Sequence, residues 1–146
     1  MLRTCSCIIA LAAMVAGPTA QAAEPRGTLM FACEGTKIET QPYGGDAEQR
    51  ETISMGIIID FAAGTVTGFR SEELLVRPVI TDVSETTISF TGSSDPTATV
   101  SYSMNGNIDR MTGALEAGFI SSPKEGYGLK WTRSYRLKCK PAQRMF

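Results

Sequence analysis

A chain of 146 residues that is 42% hydrophobic and 20% charged, with 14 Gly and 7 Pro, fits one globular domain and excludes a coiled coil, a collagen-like repeat and a disordered tail. Fourteen basic against fifteen acidic residues give a formal charge of −1, which disfavours a protein that coats nucleic acid. There is no His, so histidine triads, imidazole metal sites and imidazole general bases are excluded.

Residues Met1 to Ala22 read as a secretory signal. Arg3 supplies a positive start, Cys7 to Ala16 is an apolar run of about ten residues, Gly17-Pro18 breaks it, and Ala20-Gln21-Ala22 is an A-x-A cleavage site. The run is about half of the roughly 20 apolar residues that a membrane-spanning helix needs. Export to the periplasm or beyond is therefore expected, with a mature domain beginning near Ala23 and running to Phe146. Cys5 and Cys7 leave with the signal. Cys33 and Cys139 remain, and an isolated pair in an oxidising compartment is expected to form a disulfide. The loop it closes, about 107 residues, corresponds to a chain-entropy stabilisation of about 4 to 5 kcal/mol. A pair so distant in sequence, with no His and no C-x-x-C spacing, does not read as a redox or metal site.

The mature chain alternates with period two. Ile53, Met55, Ile57, Ile59 and Phe61 share one face of a segment, and Ala98, Val100, Tyr102 and Met104 share one face of another. Eight strands are predicted, roughly over 28–38, 52–61, 64–70, 75–82, 86–91, 97–108, 113–120 and 127–139. A short helical turn over Glu72 to Leu75 is stopped by Pro78. The links are short and rich in turn residues, and the longest polar one runs from Gln41 to Arg50. None suggests a second domain.

One hairpin type is used twice. Ile59-Asp60-Phe61-Ala62-Ala63-Gly64-Thr65-Val66 and Ile108-Asp109-Arg110-Met111-Thr112-Gly113-Ala114-Leu115 both fit I-D-x-x-x-G-x-[VL]. Asp60 and Asp109 can accept hydrogen bonds from turn amides, and Gly64 and Gly113 can take the positive φ that ends a short loop. The turn explains both carboxylates without acid chemistry.

In the last predicted strand Tyr127, Leu129, Trp131, Arg133, Tyr135, Leu137 and Cys139 share one face, and Lys130, Arg136, Lys138 and Lys140 share the other. Leu29, Phe31 and Cys33 share a face near the start. A disulfide holds its Cα atoms within about 7 Å, so the first and last strands are expected side by side or facing across a thin core. Eight strands with adjacent ends describe a closed up-and-down antiparallel barrel, with a two-sheet sandwich as the alternative. Trp131, Arg133 and Tyr135 are candidate interior residues. Arg133 reads as a guanidinium stacked on an aromatic ring near one barrel end, or as an anion-binding group in a cavity.

From Ser121 onward seven residues are basic and one is acidic, whereas Ala23 to Ile120 holds six basic and fourteen acidic residues. Lys130, Arg136, Lys138 and Lys140 thus form a basic stripe, either a solvated edge or a contact for an anionic partner. Nucleic acid is not expected, because the aromatic side chains of that strand face the other way. There is no G-x-S-x-G elbow, no phosphate-cradling Gly-rich loop and no paired metal-ligand motif, so no catalytic residue, metal or cofactor is assigned and a non-enzyme is expected.

The string Gly106-Asn107-Ile108-Asp109-Arg110-Met111-Thr112-Gly113-Ala114-Leu115-Glu116-Ala117, with Cys33-Glu34-Gly35, Trp131 and Cys139, resembles small exported proteins of alpha-proteobacteria, rhizobial ones especially, a group described as uncharacterised. The resemblance implies an envelope location and no activity. The Phe31-x-Cys33-x-Gly35 frame with a terminal Cys is loosely similar to periplasmic inhibitors of C-type lysozyme, whose Ser-Gly-x-x-Tyr motif is missing here. Two functions follow as expectations. One is a periplasmic or secreted binding module, taking an apolar ligand inside the barrel or an anionic or other partner on its surface. The alternative is an inhibitor of an exported hydrolase, such as a lysozyme or protease, that inserts the Gln41 to Arg50 loop.

Overall fold

The period-two segments become strands of one sheet that closes on itself. The structure is a computed structural model that describes residues 27–40, 48–69, 76–94, 97, 99–123 and 130–142. The strands are β1 (Thr28–Thr40), β2 (Glu48–Asp60), β3 (Thr65–Thr67), β4 (Val79–Val83), β5 (Thr87–Ser93), β6 (Val100–Asp109), β7 (Ala114–Pro123) and β8 (Trp131–Pro141). Each pairs antiparallel with the next, and β8 returns to β1, giving a closed up-and-down barrel. The sandwich alternative is thereby removed.

The closing seam is long. Ten residue pairs of β1 and β8 are in register, from Phe31↔Pro141 to Thr40↔Thr132. Cys33 stands directly opposite Cys139, and the two are disulfide-bonded with Cα atoms 4.0 Å apart. The Cys139 N–H donates to the Gly113 carbonyl on the β7 side, so it is not used across the seam. The cysteines thus occupy a non-hydrogen-bonded pair, the type in which opposed Cα atoms approach most closely. The strands lie side by side, and both sulfurs are buried on the inward face.

Cross-strand register sorts the interior into layers. One layer runs Ile88, Ile108, Leu115, Leu137, Gly35 and Ile53 around the wall and is wholly apolar apart from the glycine. The next runs Phe90, Gly106, Ala117, Tyr135, Lys37 and Glu51, alternating large and small residues before reaching two charges. The third runs Gly92, Met104, Phe119, Arg133, Glu39 and Gln49. Polarity therefore rises from the end carrying the β2–β3 and β6–β7 hairpins toward the opposite mouth.

The wall is thinnest between β3 and β4, which meet only at Thr65↔Val79. The chain beside that contact turns two apolar side chains, Phe69 and Val76, into the core. The Phe69 ring reaches Phe90 and Tyr135, each with centroids 5.7 Å away. These three rings, from elements spread around the wall, fill the middle of the barrel.

Several predicted boundaries are corrected. Predicted strand 64–70 ends at Thr67, because the chain leaves the wall to bury Phe69. Glu48 to Arg50, read as loop from their polarity, continue β2, since backbone pairing with β1 persists to Thr40↔Glu48 even where the side chains are exposed. Gly92 and Ser93 belong to β5, Ser121 to Pro123 extend β7, and β6 begins at Val100. The signal segment, the Glu72 to Leu75 turn, the loop residues Gln41 to Ala47, and Tyr127 and Leu129 lie outside the described residues.

Removing the central ring should test this packing. Phe69→Ala is expected to destabilise the oxidised domain by about 3 to 5 kcal/mol, the range for a buried Phe that leaves a cavity. Urea denaturation with the disulfide intact measures it. A loss under about 1 kcal/mol would place the ring outside the core.

Candidate functional site

The repeated I-D-x-x-x-G string forms two hairpins of one design. In the 61–64 loop, Asp60 Oδ1 accepts from the Ala62 and Ala63 N–H groups at 2.9 and 3.0 Å. In the 110–113 loop, Asp109 Oδ1 accepts from Met111 and Thr112, both at 2.8 Å. Gly64 and Gly113 close the loops with φ of +66° and +72°, the left-handed region that L side chains rarely adopt. These hydrogen bonds, first the one from the Thr112 amide, hold the Asp109 carboxyl below its ordinary value of 3.8, with a smaller contribution from the charge of Lys138. Both carboxylates are committed to turns, so the motif is architectural.

The charged mouth is a second constellation. Trp131, Arg133 and Tyr135 all face inward on β8, and Arg133 is 6% exposed. Its guanidinium lies 4.9 Å from the centroid of the Trp131 ring, and its Nε–H donates to Glu39 Oε2 at 3.3 Å. The Lys37 ammonium is also buried, 3.5 Å from the same Glu39 oxygen and 2.7 Å from Glu51 Oε2. Trp131 in turn packs on Phe119, at 5.2 Å between centroids, and Phe119 on Tyr102, at 5.8 Å. Two cations thus meet two carboxylates, and each charge has an opposite partner. This is what burial demands, because an unpaired ion in a low-dielectric interior costs several kcal/mol. Arg133 is therefore stacked on an aromatic ring, and it is also ion-paired with Glu39, a partner the sequence reading did not include.

Sequence reasoning missed Lys37, Glu39 and Glu51, since the shared face it read on the first strand stopped at Leu29, Phe31 and Cys33. The signal was present. Lys37 and Glu39 have the same parity as Phe31 and Cys33, so the inward face of β1 turns charged toward its end.

The third constellation is on the outside. Arg136, Lys138 and Lys140 point outward from β8 and are exposed, and exposed Lys130 immediately precedes the strand. Register sets Arg136 opposite Glu116 on β7, and Lys138 opposite Glu34 on β1. The stripe is thus interleaved with two carboxylates and is less basic than the sequence alone suggests. None of the four cations makes an ion pair among the described residues.

Beside the stripe an open groove of about 510 Å³ crosses the outer face of β5 to β8. Outward Ser89, Thr91, Asn105, Asn107, Glu116, Gly118, Ser134 and Arg136 line it with Thr81 of β4, and the inward-facing residues between them, Phe90, Gly106, Ala117 and Tyr135, complete the lining. Asn105 and Ser134 flank Gly118 in register, so the missing side chain leaves backbone as the floor. Among the described residues, no group of three Cys, Asp or Glu side chains converges as a metal site, and no helix is long and apolar enough to cross a membrane.

In comparisons with known proteins, the chain matches no family model, no curated protein and no solved structure. Fold alone does not imply function, so the reading rests on the sites themselves.

The two hairpin glycines should respond unequally to substitution. Gly64→Ala should cost about 1 kcal/mol from its backbone conformation alone, since nothing lies near the added Cβ. Gly113→Ala should cost more, because its Cβ would collide with the Cys139 carbonyl oxygen beside the seam. Denaturation of both variants measures the difference, and equal losses would contradict the contact.

The Asp109 turn has a defined pH dependence. Its folded pKa lies below the unfolded value, so its stabilisation is present above pH 3.8 and is lost as pH falls through the lowered folded value. Titration of the Asp109 carboxyl by NMR should show a midpoint below 3.8, and Asp109→Ala should flatten stability over that acid range.

Proposed function

We propose that the chain is a non-enzymatic, exported binding module of the periplasm or cell exterior, whose anionic partner meets the outer face of β5 to β8. This reading rests on a contrast in pairing. The inward charges Lys37, Glu39, Glu51 and Arg133 neutralise one another. Exposed Lys130, Arg136, Lys138 and Lys140 carry no ion pair among the described residues, and Arg136 lines a groove large enough for a small ligand. The Cys33–Cys139 disulfide supports an oxidising compartment. The Phe69, Phe90 and Tyr135 cluster argues against an apolar ligand running through the barrel centre.

The test is retention of the oxidised protein on a dextran sulfate support across a salt gradient. Exposed charges lose most of their reach beyond about 8 to 10 Å at physiological ionic strength, so retention should fall with salt. Changing Lys130, Arg136, Lys138 and Lys140 together to Gln should lower the eluting salt concentration. Stability should move by no more than about 1 kcal/mol, as expected for exposed charges. Retention indifferent to the fourfold change would overturn the reading.

A further inference from the structure

We propose that the groove across the outer face of β5 to β8 is a carbohydrate site, and that it takes a soluble acidic oligosaccharide. This deepens the preceding reading and rests on it, by naming the chemical class of the anionic partner.

Two parallel rows of side chains cross the strands. One runs Ser89, Asn107, Glu116 and Arg136, and the other runs Thr91, Asn105, Gly118 and Ser134, each residue directly opposite the next. Neighbouring strands lie about 4.7 to 4.9 Å apart, so the first row presents a polar group at that interval and the second does so except at Gly118. A saccharide chain advances by about the same distance per ring. Each Asn offers two donors and an acceptor, and each hydroxyl donates and accepts, which matches the mixed character of sugar hydroxyls. Among the described residues, the side chains of Ser89, Thr91, Asn105, Asn107, Ser134 and Arg136 make no hydrogen bond or ion pair within the protein. At the end of the first row Arg136, opposite Glu116, is exposed and makes no ion pair among the described residues, and a guanidinium can take a ligand carboxylate in bidentate fashion, with Lys138 next on the same face.

Other occupants fit less well. An extended peptide binds by adding to a strand edge or by filling side-chain pockets. Here the groove crosses four strands whose backbones already pair with one another. Single-stranded nucleic acid needs exposed rings to stack on, and Phe90, Phe119 and Tyr135 are buried on the inward face. No large apolar side chain lines the two rows, which removes an apolar ligand.

Isothermal titration of the exported, oxidised protein with oligogalacturonate, alginate and hyaluronan fragments tests the proposal. A carboxyl-reduced oligogalacturonate and polyphosphate are the comparison probes. At least one acidic fragment should bind, and its carboxyl-reduced form should bind more weakly. Asn105→Ala with Asn107→Ala should weaken binding about tenfold or more. Gly118→Leu should do the same by filling the floor. A Cβ at Gly118 meets only the side-chain amide oxygen of Asn105, at 3.1 Å, so the half-buried strand position has one close neighbour, and that neighbour is the end of an exposed side chain. The Asn pair, exposed and unbonded, provides the variant that does not depend on this. If no acidic fragment binds while polyphosphate does, the carbohydrate assignment falls and the anionic-partner reading stands. If fragments bind but only the fourfold Gln change weakens them, the groove is overturned and charge attraction alone remains. If no anion binds, both readings fall.

Discussion

Cys33 faces Cys139 across a non-hydrogen-bonded pair of the β1–β8 ladder, and this seam decides which way every other side chain points. Side chains alternate along a strand, so one fixed inward pair fixes the parity of both strands. Register then passes that parity around the barrel through seven further ladders, shifted once on β4 at the irregularity between Ile80 and Asp82. A slip of β8 by one residue against β1 would turn Arg133 and Tyr135 outward and bring Arg136 and Lys138 into the core. The covalent bond excludes that slip, and closure leaves no long unpaired edge along the seam.

Given this parity, the interior divides by physical cost. The end nearest the hairpins is filled by Ile57, Ile59, Ile108 and Leu115, all fully buried. The opposite mouth buries ions, and does so only in a network where Lys37 bridges Glu39 and Glu51 and Glu39 also receives Arg133. Such a network is weak evidence for stability, since apolar residues of similar volume often do as well. It is better understood as fixing how β1, β2 and β8 meet. Between the two ends, Phe69 compensates for the thin β3–β4 wall with a ring from outside the regular ladder.

Much of this was legible in the sequence, and what was not has a common cause. Period two showed the strands, the Asp-to-Gly strings showed two hairpins, and the single cysteine pair brought the chain ends together. Those signals are local, or rest on one covalent pairing. Polarity misled at Glu48 to Arg50, where an exposed ribbon pairs through its backbone regardless of side chains. The Phe69 insertion was hidden because Gly68-Phe69 continues an apolar pattern until the chain turns inward. The pairing of Arg133 with Glu39, and the groove floored by Gly118 between Asn105 and Ser134, depend on register between strands distant in sequence. No single segment carries that information.

The proposed recognition falls on the outer face of β5 to β8, with the charged mouth as internal structure. Backbone amide shift mapping by NMR during titration with an acidic oligosaccharide tests this most directly. The shifts should cluster on the outward positions of Ser89, Asn105, Asn107, Ser134 and Arg136 and their strand neighbours. Shifts concentrated instead at Lys37, Glu39 and Arg133 would contradict it and move the binding site into the barrel mouth.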